Sequence, residues 1–212
     1  MTRLGVMGGT FDPIHYGHLV TAEEALTQFR LDHVVFVPNR LSPLKDPADV
    51  TDPEHRYLMT FLATVANPRF GVSRVEIDRP GASYTIDTMR DLAARHPGAT
   101  LFYITGADAI LQILRGEWDQ SAELLALCQF IAATRPGFAL SEETLRRTGG
   151  GRAPLENVHL MTIPAMAISS TDIRARVRAG RPITYLVPEA VEAYIAKHGL
   201  YRRVPAPEAA GG

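Results

Sequence analysis

The sequence has one cysteine, no long apolar run and almost no net charge, and each of these absences excludes a class of protein. Cys128 is the only cysteine among the 212 residues, so an internal disulfide or a zinc site built from a cysteine cluster is excluded. Its apolar neighbours favour a buried small hydrophobe. No apolar stretch approaches the roughly 18 residues needed to span a bilayer.

The charge balance and the N-terminus indicate which partners and which cellular location to expect. A net charge of −1 gives no support for binding to nucleic acid or to an anionic membrane. A signal-peptide pattern is missing, because a glycine-rich loop begins as early as Gly8. We therefore expect a cytoplasmic protein that binds neither nucleic acid nor membranes. The sequence leaves the oligomeric state open, with a homodimer as the assembly to test.

Strand-like and helix-like segments alternate along the chain. Short apolar runs predict strands at 4–7, 33–37, 70–77, 101–104, 130–133 and 158–163. Helical patterns cover 19–26, 53–66 and 85–96, with one or two helices between 109 and 127 and two more after 163. Such repeated βα units predict an α/β fold with a single doubly wound parallel sheet and helices on both faces.

The remaining segments are predicted to be loops or a tail. Residues 38–52 form a Pro- and Asp-rich loop, and 146–154 a Gly-rich exposed loop. The tail at 204–212 is predicted to be disordered, which leaves one domain at 1–203. Ligands of doubly wound sheets bind beyond the carboxyl ends of the strands, so the loops at those ends are expected to share one crevice.

The most informative segment joins the first strand to the first helix and consists of GGTFDPIHYGH, residues 8–18. Backbone N–H groups at a glycine-rich turn, together with the positive end of the helix, form an anion site. His15 and His18 would place two hydrogen-bond donors beside bound phosphates. The segment therefore predicts a nucleotide site.

Two alternatives for the histidines remain open at this point. Either one, taken alone, is more often an ordinary polar surface residue. With Asp12 they are also consistent with zinc or iron ligands. However, no third ligand stands at a familiar spacing, and a metal site leaves the glycines unexplained. Phosphate binding accounts for every residue of the segment, so no protein-bound metal is predicted.

This segment resembles the HxGH motif of the nucleotidyltransferases, relatives of the class I aminoacyl-tRNA synthetases. The resemblance implies a Rossmann-like fold with C-terminal helices and transfer of AMP or CMP from a nucleoside triphosphate. It implies that His18 stabilises the α-phosphate in the transition state and that His15 lies beside it on the triphosphate. It also implies ATP contacts by the residues of the turn, namely Gly8, Gly9, Thr10 and Phe11. Mg²⁺ is expected to arrive with ATP, held largely by phosphate oxygens and water.

A second segment, ISSTDIR at 168–174, has the features of a helix N-terminus. Serine and threonine stand at capping positions, and Asp172 falls in the first turn. Plain helix capping with a solvated arginine is the alternative. The segment resembles the late motif of the same nucleotidyltransferases. That resemblance implies that the β- and γ-phosphates are held by four residues: Ser169, Ser170, Thr171 and Arg174.

Two adenylyltransferase families share both motifs, the nicotinate mononucleotide enzymes and the phosphopantetheine enzymes. Residues 83–88, SYTIDT, are similar to a segment of the nicotinate family, in which backbone near the first threonine approaches the pyridine carboxylate. The resemblance extends from about residue 4 to 201. It implies acceptor contacts by Tyr84, Thr85, Trp118 and Arg135, with Trp118 stacking on the pyridine ring. It further implies that Gly106 and Asp108 contact ribose and nucleotide.

Each of these acceptor residues also has a plain structural interpretation. Trp118 is equally consistent with a partly buried anchor between helices. Thr85 and Asp108 are equally consistent with N-caps of the helices that follow them. Their order and spacing together favour the ligand-binding interpretation.

The loop after the second strand departs from the family pattern. The nicotinate family usually carries Pro-Pro-His-Lys there, whereas this chain has Ser42-Pro43-Leu44-Lys45. Leu44 removes the imidazole, while Lys45 keeps a cation that reaches a phosphate if the loop closes over substrate.

The resemblance implies AMP transfer from ATP to nicotinate mononucleotide, giving pyrophosphate and nicotinic acid adenine dinucleotide, the step before NAD. A phosphate monoester is already an anionic nucleophile, so positioning and charge neutralisation are expected to carry the catalysis. A nucleotide-sensing module without chemistry is the alternative from another class. A tRNA synthetase fragment fits less well, because the chain is short and lacks a Lys-Met-Ser-Lys-Ser-like loop.

Overall fold

Six parallel strands form one sheet at the centre of the computed structural model, which describes residues 1–43, 45–134, 141–149, 155–164 and 166–202. The strands are β1 (Arg3–Gly9), β2 (His33–Pro38), β3 (Phe70–Val72), β4 (Thr100–Gly106), β5 (Gln129–Thr134) and β6 (Val158–Thr162). Their order across the sheet is β3-β2-β1-β4-β5-β6, and all neighbours are parallel. The predicted doubly wound sheet is confirmed.

Eight α-helices accompany these strands in the described part of the chain. They are α1 (Tyr16–Gln28), α2 (Pro53–Thr64), α3 (Thr85–Arg95), α4 (Ala107–Leu114), α5 (Ser121–Leu127), α6 (Glu142–Gly149), α7 (Ser170–Arg178) and α8 (Glu189–His198). Short 3₁₀ helices lie at Pro47–Asp49 and Leu155–Asn157. As its sequence predicts, α2 begins with Pro53 at its first position, and the Asp52 carboxylate accepts the Glu54 N–H at 2.8 Å. None of the described helices has both the length and the apolar character required to cross a membrane.

The helices cover both faces of the sheet because successive strand residues point to opposite sides. In β4, Leu101 and Tyr103 pack into one hydrophobic core, and Phe102 and Ile104 into the other. The first core includes residues of α3, α4, α5 and α6, and the second includes residues of α1, α2, α7 and α8. The sheet is therefore enclosed, as expected for parallel strands.

The strand order places the predicted motif at the centre of the sheet. β1 pairs with β2 on one side and with β4 on the other, so the chain reverses its direction of winding between β1 and β4. Ligands of doubly wound sheets bind at such a switch point, beyond the carboxyl ends of the strands. The turn after β1 lies there, next to the end of β4.

Two predictions about local structure are wrong. The strand expected at 70–77 ends at Val72, because Asp78 N–H donates to Arg74 O at 2.9 Å and closes a turn instead. The loop expected at 146–154 begins as a helix, since α6 extends to Gly149. Ser141 Oγ caps this helix by accepting the Thr144 N–H at 3.1 Å, and Leu145 is buried beneath it. Residues 150–154, Arg135 and the expected tail at 204–212 lie outside the described residues.

Candidate functional site

The turn after β1 is shaped by two glycines and a buried phenylalanine. Phe11 has a left-handed backbone conformation (φ 49°), and its side chain is only 2% exposed. A Cβ atom on Gly9 would lie 2.9 Å from Phe11 Cζ, and one on Gly8 would lie 2.9 Å from the Tyr103 hydroxyl. Side chains at either position would therefore collide with the protein itself. Because the Phe11 ring is buried, any contact of this residue with a nucleotide is through its backbone.

The two histidines are held against each other at the start of α1. His15 is the N-cap residue, and the His15 and His18 side chains meet each other's backbone in a capping-box arrangement. Their rings stack with centroids 3.8 Å apart, and Phe11 packs edge-on against His18 at 5.1 Å. His18 Nδ1 accepts the His15 backbone N–H at 3.3 Å. This contact favours the neutral ring with its proton on Nε2, which makes Nε2 a hydrogen-bond donor.

Asp12 anchors the middle of the turn rather than facing a ligand. It is 3% exposed, and its carboxylate accepts the Thr51 N–H at 3.2 Å and the Tyr201 hydroxyl at 2.7 Å. Burial, reinforced by the charge of Asp12, raises the pKa of Tyr201. The carboxylate proposed as a metal ligand is thus already used for internal hydrogen bonds. No group of three His, Cys, Asp or Glu side chains able to hold a metal is found among the described residues.

The late motif is bonded directly to this turn, although more than 150 residues separate the two in sequence. Ser169 caps α7 by accepting the Asp172 N–H at 3.1 Å. Ser170 Oγ donates to Pro13 O at 2.9 Å, and Arg174 Nη1 donates to Asp12 O at 2.7 Å. Arg174 Nε is buried without a hydrogen-bond partner among the described residues. The arginine is therefore positioned by the turn and keeps donor capacity for an anion.

Both histidines and the start of α7 face the same cavity of about 330 Å³, which we call the histidine cavity. Its polar lining includes His15, His18 and the residues 169–171. The N-termini of α1 and α7 meet here, and both helix ends favour negative charge. The cavity therefore combines two imidazoles, hydroxyl groups and backbone N–H groups, a set suited to a polyphosphate.

A larger cavity of about 760 Å³ lies on the other side of the turn, and we call it the acceptor cavity. Gly8, Gly9 and Thr10 form one part of its lining. The other residues that line it are Asn39, Ser42, Pro43, Glu76, Ser83, Tyr84, Thr85, Tyr103, Thr105, Gly116, Glu117, Trp118, Asp119 and Gln120. Three predicted acceptor residues, Tyr84, Thr85 and Trp118, are thus brought together with the glycine turn.

Aromatic and hydroxyl groups pack together in one part of the lining of the acceptor cavity. Trp118 packs edge-on against Tyr103 with ring centroids 6.3 Å apart, and its Nε1–H donates to Gln112 Oε1 at 3.1 Å. Burial raises the pKa of Tyr103, and the Thr85 hydroxyl opposes this shift. Trp118 is therefore held in place by its neighbours while part of its surface faces the cavity.

The helix that begins at Thr85 has no side-chain cap from any residue that the structure describes. Its N-cap residue is Tyr84, which makes no capping hydrogen bond through its side chain. The alternative interpretation of Thr85 as an N-cap is thus wrong, and the first backbone N–H groups of α3 are left for another acceptor. Asp108 is likewise not a cap, because Gly106 is the N-cap residue of α4.

Arg56 connects the glycine turn to the loop that follows β2, and it was not identified from the sequence. Its side chain is fully buried. Arg56 Nε donates to Thr51 O at 2.8 Å, Nη1 donates to Thr10 O at 2.8 Å, and Nη2 donates to Arg40 O at 3.0 Å. Burial lowers the pKa of Arg56, and the charge of Asp12 opposes this shift. One guanidinium therefore fixes the glycine turn and both ends of the loop that carries Lys45.

Lys45 lies on that loop close to the late motif. Its ammonium group is partly shielded, and this burial, followed by the charge of Arg174, lowers the pKa of Lys45, whereas Asp12 raises it. These couplings place the ammonium near Arg174 and Asp12. Leu44, which stands where the nicotinate family usually has histidine, lies outside the described residues.

Comparisons with known proteins agree with this geometry. The sequence profile of the Cytidylyltransferase-like family matches residues 6–176. A protein named probable nicotinate-nucleotide adenylyltransferase from Clavibacter michiganensis is 58% identical over 200 residues, which are 94% of each chain. A protein of the same name from Moorella thermoacetica is 55% identical over 204 residues, which are 94% of this chain and 92% of that one.

This chain belongs to the nicotinate-nucleotide adenylyltransferase family. Two solved structures of the Plasmodium falciparum nicotinic acid mononucleotide adenylyltransferase share its fold. The complex with NaAD has a TM-score of 0.76, and the complex with APC has one of 0.74. Each is 22% identical to this chain and covers 95% of it, and the match includes 98% of the Plasmodium chain. The predicted Rossmann-like nucleotidyltransferase fold is confirmed.

The structure does not bring every predicted residue into the two cavities. Gly106 and Asp108 lie at the carboxyl end of β4 and the first turn of α4, outside the lining of either cavity. Their predicted contacts with ribose and nucleotide stay predictions, as does that of Arg135, which is outside the described residues. Conversely, Asn39, Glu76 and Tyr103 line the acceptor cavity although no motif pointed to them.

Proposed function

We propose that this protein transfers AMP from ATP to nicotinate mononucleotide, releasing pyrophosphate and giving nicotinic acid adenine dinucleotide, a step of NAD biosynthesis. One observation carries the proposal: a single turn borders both cavities. Gly8, Gly9 and Thr10 line the acceptor cavity, and His15 and His18 line the histidine cavity. A phosphate bound in each cavity meets the other at this turn, as an in-line displacement requires.

ATP occupies the histidine cavity with its triphosphate along the N-termini of α1 and α7. Ser169, Ser170, Thr171 and Arg174 hold the β- and γ-phosphates. Lys45 supplies a further cation from its loop. Mg²⁺ enters as part of the Mg·ATP substrate, bound chiefly by phosphate oxygens and water.

Nicotinate mononucleotide occupies the acceptor cavity. The uncapped N-terminus of α3, at Thr85, suits the negative carboxylate of the pyridine ring. Trp118 stacks on that ring, since it lines the cavity and its orientation is fixed by Tyr103 and Gln112. The 5′-phosphate then lies toward Gly8 and Gly9, where the backbone leaves room for it.

The chemical step needs no general base. An oxygen of the acceptor 5′-phosphate attacks the α-phosphorus of ATP, and the bond from that phosphorus to the bridging oxygen of the β-phosphate breaks. Pyrophosphate leaves with the bonding electrons. His18 Nε2–H donates to an α-phosphate oxygen as charge builds up there, and the preorganised His15–His18 pair keeps this donor in place.

The test is pyrophosphate release with Mg·ATP and each of three acceptors in parallel. We expect nicotinate mononucleotide to be preferred over nicotinamide mononucleotide, because a carboxylate suits the uncapped helix better than an amide. Phosphopantetheine should be inactive, and chelation of Mg²⁺ by EDTA should abolish the signal. Preference for phosphopantetheine would contradict the acceptor assignment alone, whereas ATP binding without pyrophosphate release would indicate a nucleotide-sensing module.

A further inference from the structure

The acceptor cavity lies between two chain segments that no strand pairing connects. Ser42 and Pro43 line it from the loop that follows β2, and residues 83–85 line it from the turn that precedes α3. β2 pairs only with β1 and β3, and the 83–85 turn belongs to no strand. The distance between these two walls is therefore set by contacts outside the sheet.

Ser83 makes two hydrogen bonds across this gap. Its backbone N–H donates to Leu41 O at 2.9 Å. Its side-chain oxygen accepts the Arg40 backbone N–H at 3.1 Å. Arg40 and Leu41 immediately precede Ser42 in the opposite wall, so one serine holds both walls together. A serine hydroxyl that accepts one hydrogen bond still has its proton to donate.

The Ser83 hydroxyl lies beside the buried carboxylate of Glu76, and both residues line the acceptor cavity. Glu76 is 6% exposed and accepts a hydrogen bond from Thr88 Oγ1 at 2.6 Å. Thr88 lies in the first turns of α3, three residues after Thr85. Burial raises the pKa of Glu76, and the hydroxyl groups of Thr88 and Ser83, followed by the charge of Arg79, oppose that shift. The carboxylate is therefore held by α3 and lies next to the Ser83 hydroxyl of the preceding turn.

We infer that Ser83 and Glu76 are positioning residues that hold the start of α3 against the Arg40–Ser42 segment and thereby set the affinity for the acceptor nucleotide. The inference rests on the proposed function, because it assumes that the acceptor carboxylate binds at the start of α3. Neither residue lines the histidine cavity. Loss of the Ser83 hydroxyl or of the Glu76 charge should therefore weaken acceptor binding and leave the KM for ATP and kcat at saturating acceptor close to their normal values.

Trp118 provides a readout of acceptor binding that is independent of turnover. It is the only tryptophan of the chain and lines the acceptor cavity. Its fluorescence, titrated with nicotinate mononucleotide in the absence of ATP, should report the Kd directly. The variants are Ser83→Ala, which removes the hydroxyl, and Ser83→Thr, which restores it. Glu76→Gln keeps an acceptor oxygen without the charge, and Glu189→Gln is a matched control at an exposed glutamate.

We expect Ser83→Ala to raise the acceptor Kd and KM about fivefold to tenfold, since the side-chain hydrogen bond that holds Arg40 against the 83–85 turn is lost. Ser83→Thr and Glu189→Gln should stay within about threefold of wild type. The acceptor Kd of Glu76→Gln should lie between those of Ser83→Ala and wild type, because a neutral oxygen is a weaker hydrogen-bond acceptor than a carboxylate. Thermal unfolding of each variant checks that the fold persists. If Ser83→Ala fails to fold, the acceptor Kd of Glu76→Gln tests the inference instead.

The outcomes separate this inference from the proposed function. If the wild type neither binds nor adenylylates nicotinate mononucleotide, the proposed function fails. If the wild type does both, and Ser83→Ala and Glu76→Gln keep its acceptor Kd, the positioning role is wrong. A third outcome is that Ser83→Ala raises the KM values for ATP and acceptor equally; the same test applies to Glu76→Gln if Ser83→Ala does not fold. An equal rise would mean that these contacts stabilise the protein in general, and the inference would again be wrong.

Discussion

The histidine cavity and the acceptor cavity border the same turn but are built in different ways. The histidine cavity is lined chiefly by two segments, one at the start of α1 and the other leading into α7, which hydrogen bonds join directly. The acceptor cavity draws its lining from the ends of β1, β2 and β4 and from three separate loops. A few rigid groups thus surround the reacting phosphates, whereas recognition of the acceptor is distributed.

This difference predicts that mutations in the two cavities change different kinetic parameters. Groups of the histidine cavity act where charge changes most during reaction, so their loss should reduce kcat. Groups of the acceptor cavity bind the ground state and the transition state alike, so their loss should raise the acceptor KM. Residues that contact both cavities should change both parameters.

The largest expected effect is that of His18→Ala. Loss of one preorganised donor to the transition state should reduce kcat roughly 10²- to 10³-fold. Trp118 fluorescence should still report acceptor binding within about twofold of wild type, because His18 does not line the acceptor cavity. Steady-state kinetics measures kcat, and the fluorescence titration measures the acceptor Kd. His33→Ala, at an exposed histidine, is the control. A fully active His18→Ala enzyme would exclude the role assigned to this imidazole.

Arg56→Lys should change both kinetic parameters, because Arg56 is bonded both to the turn that borders the two cavities and to the loop that carries Lys45. Lysine keeps the charge but cannot span Thr10 O, Arg40 O and Thr51 O from one planar group. We expect about a tenfold loss in kcat together with about a tenfold rise in the acceptor KM. The free energy of unfolding should fall by about 2 kcal/mol or more, since buried carbonyls lose charged donors.

Urea unfolding and steady-state kinetics test this expectation, with Arg95→Lys as control at an exposed arginine. An effect confined to one kinetic parameter would show that the turn and the loop are positioned independently. An unchanged free energy of unfolding would show that the buried hydrogen bonds are replaced by other donors.

The same contrast explains which parts of the site are predictable from sequence. The histidine cavity is formed mainly by two motifs that are each continuous in sequence. Such a motif can be identified without knowledge of the tertiary structure. Arg56 illustrates the opposite case. In the sequence it is one polar residue in the first turn of α2, and its role depends on backbone carbonyls of Thr10, Arg40 and Thr51. Carbonyl partners leave no mark in the sequence, so no residue pattern identifies such a cross-link.

Glu76 shows how an error in secondary structure hides a site residue. The apolar run at 70–77 predicts one strand that includes Glu76, and a strand residue in this run gives no indication of a site. The turn closed between Arg74 and Asp78 instead buries Glu76 beside Ser83 and Thr88. The sheet, its two layers of helices and the helix starts at Pro53 and Ser170 are local in origin, and these were predictable.

A smaller effect, confined to the acceptor cavity, is expected for Trp118→Ala. Stacking of one aromatic ring is worth about 0.5–1.5 kcal/mol beyond the area it buries, so the acceptor KM should rise about three- to tenfold. Trp118→Phe should recover most of this loss, and Tyr185→Ala, at an 86% exposed ring, should have no effect. The KM for ATP should not move. A proportionate rise in both KM values would mean that Trp118 anchors helices rather than binding the pyridine ring.

The smallest effect is expected for Cys128→Ala, which tests whether acceptor affinity depends on named contacts or on core packing in general. Cys128 shares a hydrophobic core with Tyr103 and Trp118 and donates its thiol hydrogen to Leu124 O at 3.5 Å. Removal of this buried sulfur should cost about 1 kcal/mol in the free energy of unfolding and leave the acceptor KM within about twofold. A tenfold rise instead would show that the acceptor cavity responds to any loosening of the core.

Burial raises the pKa of the Cys128 thiol to about 12, so almost no thiolate is present in the folded protein at pH 8. Iodoacetamide should then label the native protein at least about 10³-fold more slowly than the urea-unfolded chain. The direction is fixed by the sign of the shift: a raised thiol pKa keeps the unreactive protonated form up to high pH in the folded state. Bound acceptor should slow any residual labelling only if the cavity and this part of the core open together. Equal labelling rates with and without acceptor would place the flexibility of the acceptor cavity in its loops, where Ser83 and Arg56 hold it.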